Sequence, residues 1–129
     1  MTAGEEEITI VAGKTNMKEC IKVMKALADP GRVKIIKLLQ RRVLCVCELR
    51  EALGLAQSTV SKHLKTLEEA GLVRYSKDGT WVNYELALDS ENEYAIEMLE
   101  CLSHWLEEDD VVQELDRRLP MIRRENITT

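Results

Sequence analysis

Apolar residues recur every three to four positions from residue 16 to about residue 70; from Leu72 they recur every second position. A helix lines up one face at the first spacing and a strand at the second. The chain must therefore pack several helices and then turn into a small antiparallel hairpin. Met17, Cys20, Ile21, Met24, Leu27 and Ala28 form one apolar stripe over residues 16–28. Asp29-Pro30 starts a second helix, with Asp as the cap and Pro at its first position, carried to about Gln40 by Val33, Ile35, Ile36, Leu38 and Leu39. A short third helix is expected over Leu44–Leu53, closed by Gly54. A fourth opens at Gln57–Thr59, buries Val60, Leu64 and Leu67, and stops at Gly71.

Beyond it, Val73 and Tyr75, then Trp81 to Leu86, read as two strands joined at Lys77-Asp78-Gly79. Ser90 and Glu93 suggest a capping box for a long last helix on Tyr94, Met98, Cys101, Leu102 and Trp105. Val111–Leu119 either continues that helix or follows it, until Pro120. This gives a mainly α fold with a small β-hairpin. Residues 1–15 read as a flexible N-terminal arm, 16–109 as the domain with its dimerisation helices, and 110–129 as a partly helical C-terminal tail.

With 129 residues the chain holds one domain. It carries 18 basic and 23 acidic residues, net −5, so a uniformly basic DNA or membrane binder is excluded. The charge is nonetheless polarised. Residues 14–42 hold nine Lys/Arg against two acids, whereas 78–116 hold thirteen acids and no Lys or Arg. Aromatic residues are only 4%, too few for a base-stacking platform. No apolar run reaches 18 residues, and the acidic start is unlike a targeting peptide. A cytoplasmic chain with reduced thiols is expected, with no membrane partner.

A short helix, a Gly-containing turn and a second helix within 44–70 form a helix-turn-helix pattern. The exposed face of its second helix carries Gln57, Ser58, Thr59, Ser61, Lys62, His63 and Lys65. These side chains suit base edges and phosphates in a major groove, with the N-terminal positions nearest the bases. Arg74 and Lys77, near the tip of the following hairpin, are placed to meet flanking phosphate. No phosphate loop, H-E-x-x-H or nucleophile–base motif is present, so an enzyme is not expected, nor an organic cofactor.

Three segments carry a family likeness. The stretch Lys25–Leu39 resembles the helix junction of ArsR/SmtB-type repressors. Leu44-Cys-Val-Cys-Glu-Leu49 is similar to the metal motif of their arsenic-responsive branch. Gln57–Val73 resembles their recognition helix. The likeness spans about residues 17–108. It implies a winged helix-turn-helix homodimer that represses a resistance operon from an inverted-repeat operator. It further implies release when As(III) or Sb(III) binds cysteine thiolates. Apolar faces over 17–28 and 94–106 larger than one small domain needs point to the same two-fold pairing, with half-sites one helical turn apart, about 34 Å, or a multiple.

Cys45 and Cys47 are the expected ion ligands. Soft thiolates favour thiophilic ions. On an ideal helix residues i and i+2 point about 200° apart, so one ion holds both only if that turn loosens, which disturbs the element that positions the reading helix. The third Cys that some arsenic-responsive members carry three residues after the second is Arg50 here. Cys20, Cys101 or a small thiol is left to complete a three-sulfur site, although Cys20 and Cys101 lie on apolar helix faces, where the ordinary reading is a buried thiol. Glu91, Glu93, His104 and Glu107 match positions of a family zinc site, with carboxylates where that site is richer in His, and read as surface acids. Alternatives are a redox- or sulfide-responsive repressor, or one responding to Cd, Pb or Zn. The arm lacks the cysteines that Cd and Pb relatives add. Outside DNA binding, an acidic winged helix can serve as a protein-interaction module.

Overall fold

A computed structural model describes residues 16–127; the expected arm, 1–15, lies outside the described residues. The chain runs α1 (Met17–Ala26), α2 (Pro30–Arg41), β1 (Leu44–Cys45), α3 (Val46–Leu53), α4 (Gln57–Glu69), β2 (Val73–Asp78), β3 (Trp81–Leu86), α5 (Glu93–Leu102) and α6 (Asp110–Arg118). Two single turns of 3-10 helix follow, Leu119–Met121 and Arg124–Asn126. The antiparallel sheet has the order β1-β3-β2. No helix among the described residues is long and apolar enough to cross a membrane.

Local chemistry sets the early boundaries. Asn16 accepts the Glu19 N–H at 3.0 Å and opens α1. Asp29 accepts the Gly31 and Arg32 N–H groups at 2.8 and 3.2 Å, ahead of Pro30 in the first turn of α2. Gly54 takes the left-handed conformation that ends α3, φ 67°. Gly79 (φ 64°) and Thr80 form the two-residue loop between paired Asp78 and Trp81. The core gathers Ile35, Ile36, Leu38 and Leu39 of α2 with Leu49, Val60, Leu64, Leu67, Leu99 and Leu102.

Three boundaries differ from the sequence reading. Leu44 and Cys45 are a strand, paired with Tyr84 and Asn83, and α3 starts only at Val46. The cap of α5 is Asn92 rather than Ser90. Its Oδ1 accepts the Tyr94 and Ala95 N–H groups, while its Nδ2 donates to the Glu19 and Ala70 carbonyls and ties α5 to α1 and α4. The last helix is broken. Lys37, 1% exposed, donates from Nζ to the carbonyls of Leu102 and Trp105 (2.7 and 2.8 Å) and to Glu107. Leu106 sits at φ 66° and Asp109 caps a separate α6. The segment 110–127 folds back on the helices, with Leu115, Leu119 and Ile122 in the same core.

Candidate effector and DNA-binding site

Cys45 ends β1 with extended backbone (φ −84°, ψ 168°), and Cys47 lies in the first turn of α3. This strand-to-helix corner removes the 200° separation of an ideal helix. The two Sγ atoms stand 2.7 Å apart, both as free thiols. No helical turn has to loosen for one ion to reach both. The Glu48 carboxylate, 5% exposed, fixes the corner: Oε1 accepts the Cys45 N–H at 2.9 Å. Its Oε2 accepts from Arg42 at 3.3 Å and from the Arg124 N–H at 3.1 Å. Burial, the hydrogen bond with Cys47 and the nearby Glu48 charge push the Cys45 thiol up to about 12, so it is protonated at neutral pH.

The thiols open into a cavity of about 350 Å³. Val46, Gln57, Thr80, Trp81 and Val82 complete its wall. Gln57 is the first residue of α4, and Thr80 and Trp81 form the end of the hairpin. The thiol pair thus sits between the helix and the hairpin that the sequence reading assigned to DNA.

On α4, Val60, Leu64 and Leu67 are buried, which turns Gln57, Ser58, Thr59, Ser61, Lys62 and Lys65 to solvent. Lys77 is exposed one pair back from the hairpin loop. Two of the expected DNA contacts also have partners within the protein. His63 is turned inward against the α1–α2 junction, with Nδ1 accepting from Arg32 at 3.3 Å and Nε2 3.8 Å from Asp29. Arg74 stands at the far end of the hairpin from the loop, opposite Glu85. It binds that carboxylate at 2.8 Å and also Asp89. The polar spacing that selected them is the same for a solvated face and for a contact between helices.

A family model for bacterial regulatory proteins of the arsR family matches residues 29–75. An arsenical resistance operon repressor of Bacillus subtilis is 42% identical over 79 residues, 60% of this chain and 75% of that one. The chain belongs to the ArsR family. A cadmium resistance transcriptional regulatory protein homologue of Staphylococcus aureus is 39% identical over 74 residues, 57% of this chain and 61% of that one. A homodimeric winged helix-turn-helix DNA-binding domain from Mycobacterium bovis, a possible ArsR-family regulator, superposes with a TM-score of 0.55 at 29% identity, over 74% of this chain and 94% of that one. The chain spans 82% of the length of a transcriptional regulator of Methanocaldococcus jannaschii and 47% of an SmtB homologue of Synechocystis that it matches. Within ArsR terms, α3 and α4 are the helix-turn-helix and β2–β3 the wing, and the protein is a DNA-binding transcriptional regulator rather than an enzyme.

Among the described residues, no group of three or more Cys, His, Asp or Glu is placed to hold one ion. Cys20 and Cys101 remain half-buried on α1 and α5. Glu91, Glu93 and His104 do not close on Glu107, which is drawn instead to Lys37 and Arg41. Three participants escaped the sequence reading as site residues: Glu48, Trp81 and Arg124. Only Glu48 had a local signal, an acid three residues after the residue that caps α3.

Proposed function

We propose that this ArsR-family repressor holds an inverted-repeat operator as a homodimer and leaves it when As(III) or Sb(III) binds Cys45 and Cys47. The observation that carries this reading is the 2.7 Å approach of the two sulfurs in a cavity walled by Gln57 and the wing residues Thr80, Trp81 and Val82. A pyramidal As(III) held by two thiolates at about 2.3 Å each sets its sulfurs about 3.4 Å apart and carries its third ligand into the cavity. Loading therefore fills the space between the start of the reading helix and the wing, and presses on both. Gln57, Ser58, Ser61 and Lys62 are the proposed base-reading residues, with Thr59, Lys65 and Lys77 on phosphate.

Proton balance distinguishes a metalloid from a divalent cation by their pH dependence. As(OH)3 and two thiols give a dithiolato-arsenic hydroxide and two waters, with no net proton released. Cadmium must expel both thiol protons, including one that Cys45 holds well above neutral pH. The remaining arsenic position takes hydroxide or a small thiol such as glutathione. Assembly as a homodimer is supported by the uncovered Met17, Ile21 and Met24 on α1 and Leu88, Trp105 and Leu106 around α5.

The close sulfurs also suit oxidation to a disulfide, which makes a redox-responsive repressor the second reading. A labelled duplex selected from a random pool by the protein itself separates the two. Release by arsenite and antimonite under reducing conditions supports the first. Release by hydrogen peroxide with no response to arsenite supports the second.

A further inference from the structure

The C-terminal segment crosses the thiol site, and one residue makes the crossing. Arg124 donates from its backbone N–H to Glu48 at 3.1 Å, and Glu48 holds the Cys45 N–H. Its guanidinium donates to Asn83 at 3.3 Å, and Asn83 is the residue opposite Cys45 in the β1–β3 ladder. The same group binds Asp78 beside the wing loop at 2.9 Å. It also lies over the ring of Trp81, 3.9 Å from its centroid, and Trp81 walls the thiol cavity. Nearby, Arg42 anchors the segment through the Ile122 carbonyl, and Ile122 is buried. The contacts of one arginine therefore reach the Cys45 corner, the cavity wall and the wing tip.

We infer that Arg124 is a positioning residue of the effector site: it latches the wing to the start of α3, keeps the thiol cavity narrow, and so sets how much inducer is needed for release. This rests on the metalloid reading above. An ion seated on the pair bears on Cys45, which Glu48 and Asn83 hold in place, and Arg124 holds both. The latch belongs to the DNA-binding conformation. By linkage, weakening it favours the loaded pair and disfavours bound DNA.

The test uses the full chain with Cys20→Ser and Cys101→Ser, leaving only the pair to react. Arg124→Met keeps the aliphatic stem but loses the fork and the charge. Alkylation of the pair by iodoacetamide, with each rate divided by the thiolate fraction read from absorbance at the same pH because the Arg124 charge also acts on Cys45, is expected to run about five- to tenfold faster, the scale of losing one cation–π contact and one charge-assisted hydrogen bond. The arsenite concentration for half-release is expected to fall by a similar factor. Arg124→Lys should lie between the two, since it restores the charge without the planar fork. Asp78→Asn, which alters neither the C-terminal segment nor the thiols, should give a smaller shift in the same direction and keeps the test alive if Arg124→Met folds poorly. Arg117→Met, exposed and paired, among the described residues, with Glu114 on its own helix, should match the parent. Parent-like alkylation and half-release in Arg124→Met and Asp78→Asn would overturn the latch. If arsenite releases no DNA from the parent, the metalloid reading fails, and the alkylation rates still decide the latch.

Discussion

The face around the thiol pair and the packed back of the molecule use the same residue types to opposite ends. On the front, Gln57, Ser61, Lys62, Lys65 and Lys77 are exposed, and Cys45 and Cys47 meet each other. On the back, Lys37 is buried on the α5 carbonyls, Arg41 clasps Asp116, and Cys20 and Cys101 stand apart. Charge and thiol content do not separate the two regions. What separates them is whether each side chain is already satisfied within the protein. A cation with internal partners contributes to the fold, and one without is available to an incoming anion.

The comparison breaks most visibly at Lys37. Lys37→Met strands two carbonyls where the last helix turns and is expected to cost about 2–4 kcal/mol in chemical denaturation. A near-neutral result would show that the α5 turn does not depend on this cation. A front-face change such as Lys62→Ala should leave the midpoint almost unmoved.

A second test sharpens the chemistry of the front face. The Cys45 proton is held up to about 12 by burial first, then by Cys47 and Glu48. Cadmium must displace it, so at neutral pH cadmium affinity should rise about tenfold per pH unit for this proton alone. Arsenite affinity should be flat over the same interval, because its reaction releases no net proton. Equal slopes for the two ions, read by titration calorimetry from pH 6 to pH 8, would contradict the assignment of Cys45 as a buried protonated ligand.

The smallest expected effects concern DNA. Lys77→Ala should weaken binding to all sequences alike and lower the salt slope by about one. Arg74→Ala and His63→Ala should leave that slope unchanged, since both side chains are engaged within the protein. A loss of slope in Arg74→Ala equal to that of Lys77→Ala would erase the distinction between free and engaged cations on the wing.

Much of the architecture was legible because its signals are local. Asp29-Pro30, Gly54, Gly79 and the switch of apolar period at Leu72 each act within a few residues. The cysteine pair was legible too, but its geometry was not. Leu44–Cys45 becomes a strand only by pairing with Tyr84 and Asn83, about forty residues later. The break after Leu102 depends on Lys37, 65 residues earlier. Arg124 reaches Glu48 across 76 residues. The inward turn of His63 is likewise a tertiary fact, set by Asp29 and Arg32. Periodicity reports which face of an element is apolar, and it is silent on which polar residue of the other face finds a partner.

The central claim is that the thiol corner, and not the cysteines on the helices, converts metalloid binding into DNA release. Arsenite titrations of the labelled duplex bound to each of the four single Cys→Ser variants test it directly. Serine fits the space of cysteine but is a poor soft-ion ligand. Cys45→Ser and Cys47→Ser should bind DNA like the parent and stay bound at arsenite concentrations that empty it, while Cys20→Ser and Cys101→Ser should still release. Full release from the Cys45→Ser and Cys47→Ser complexes would contradict the account.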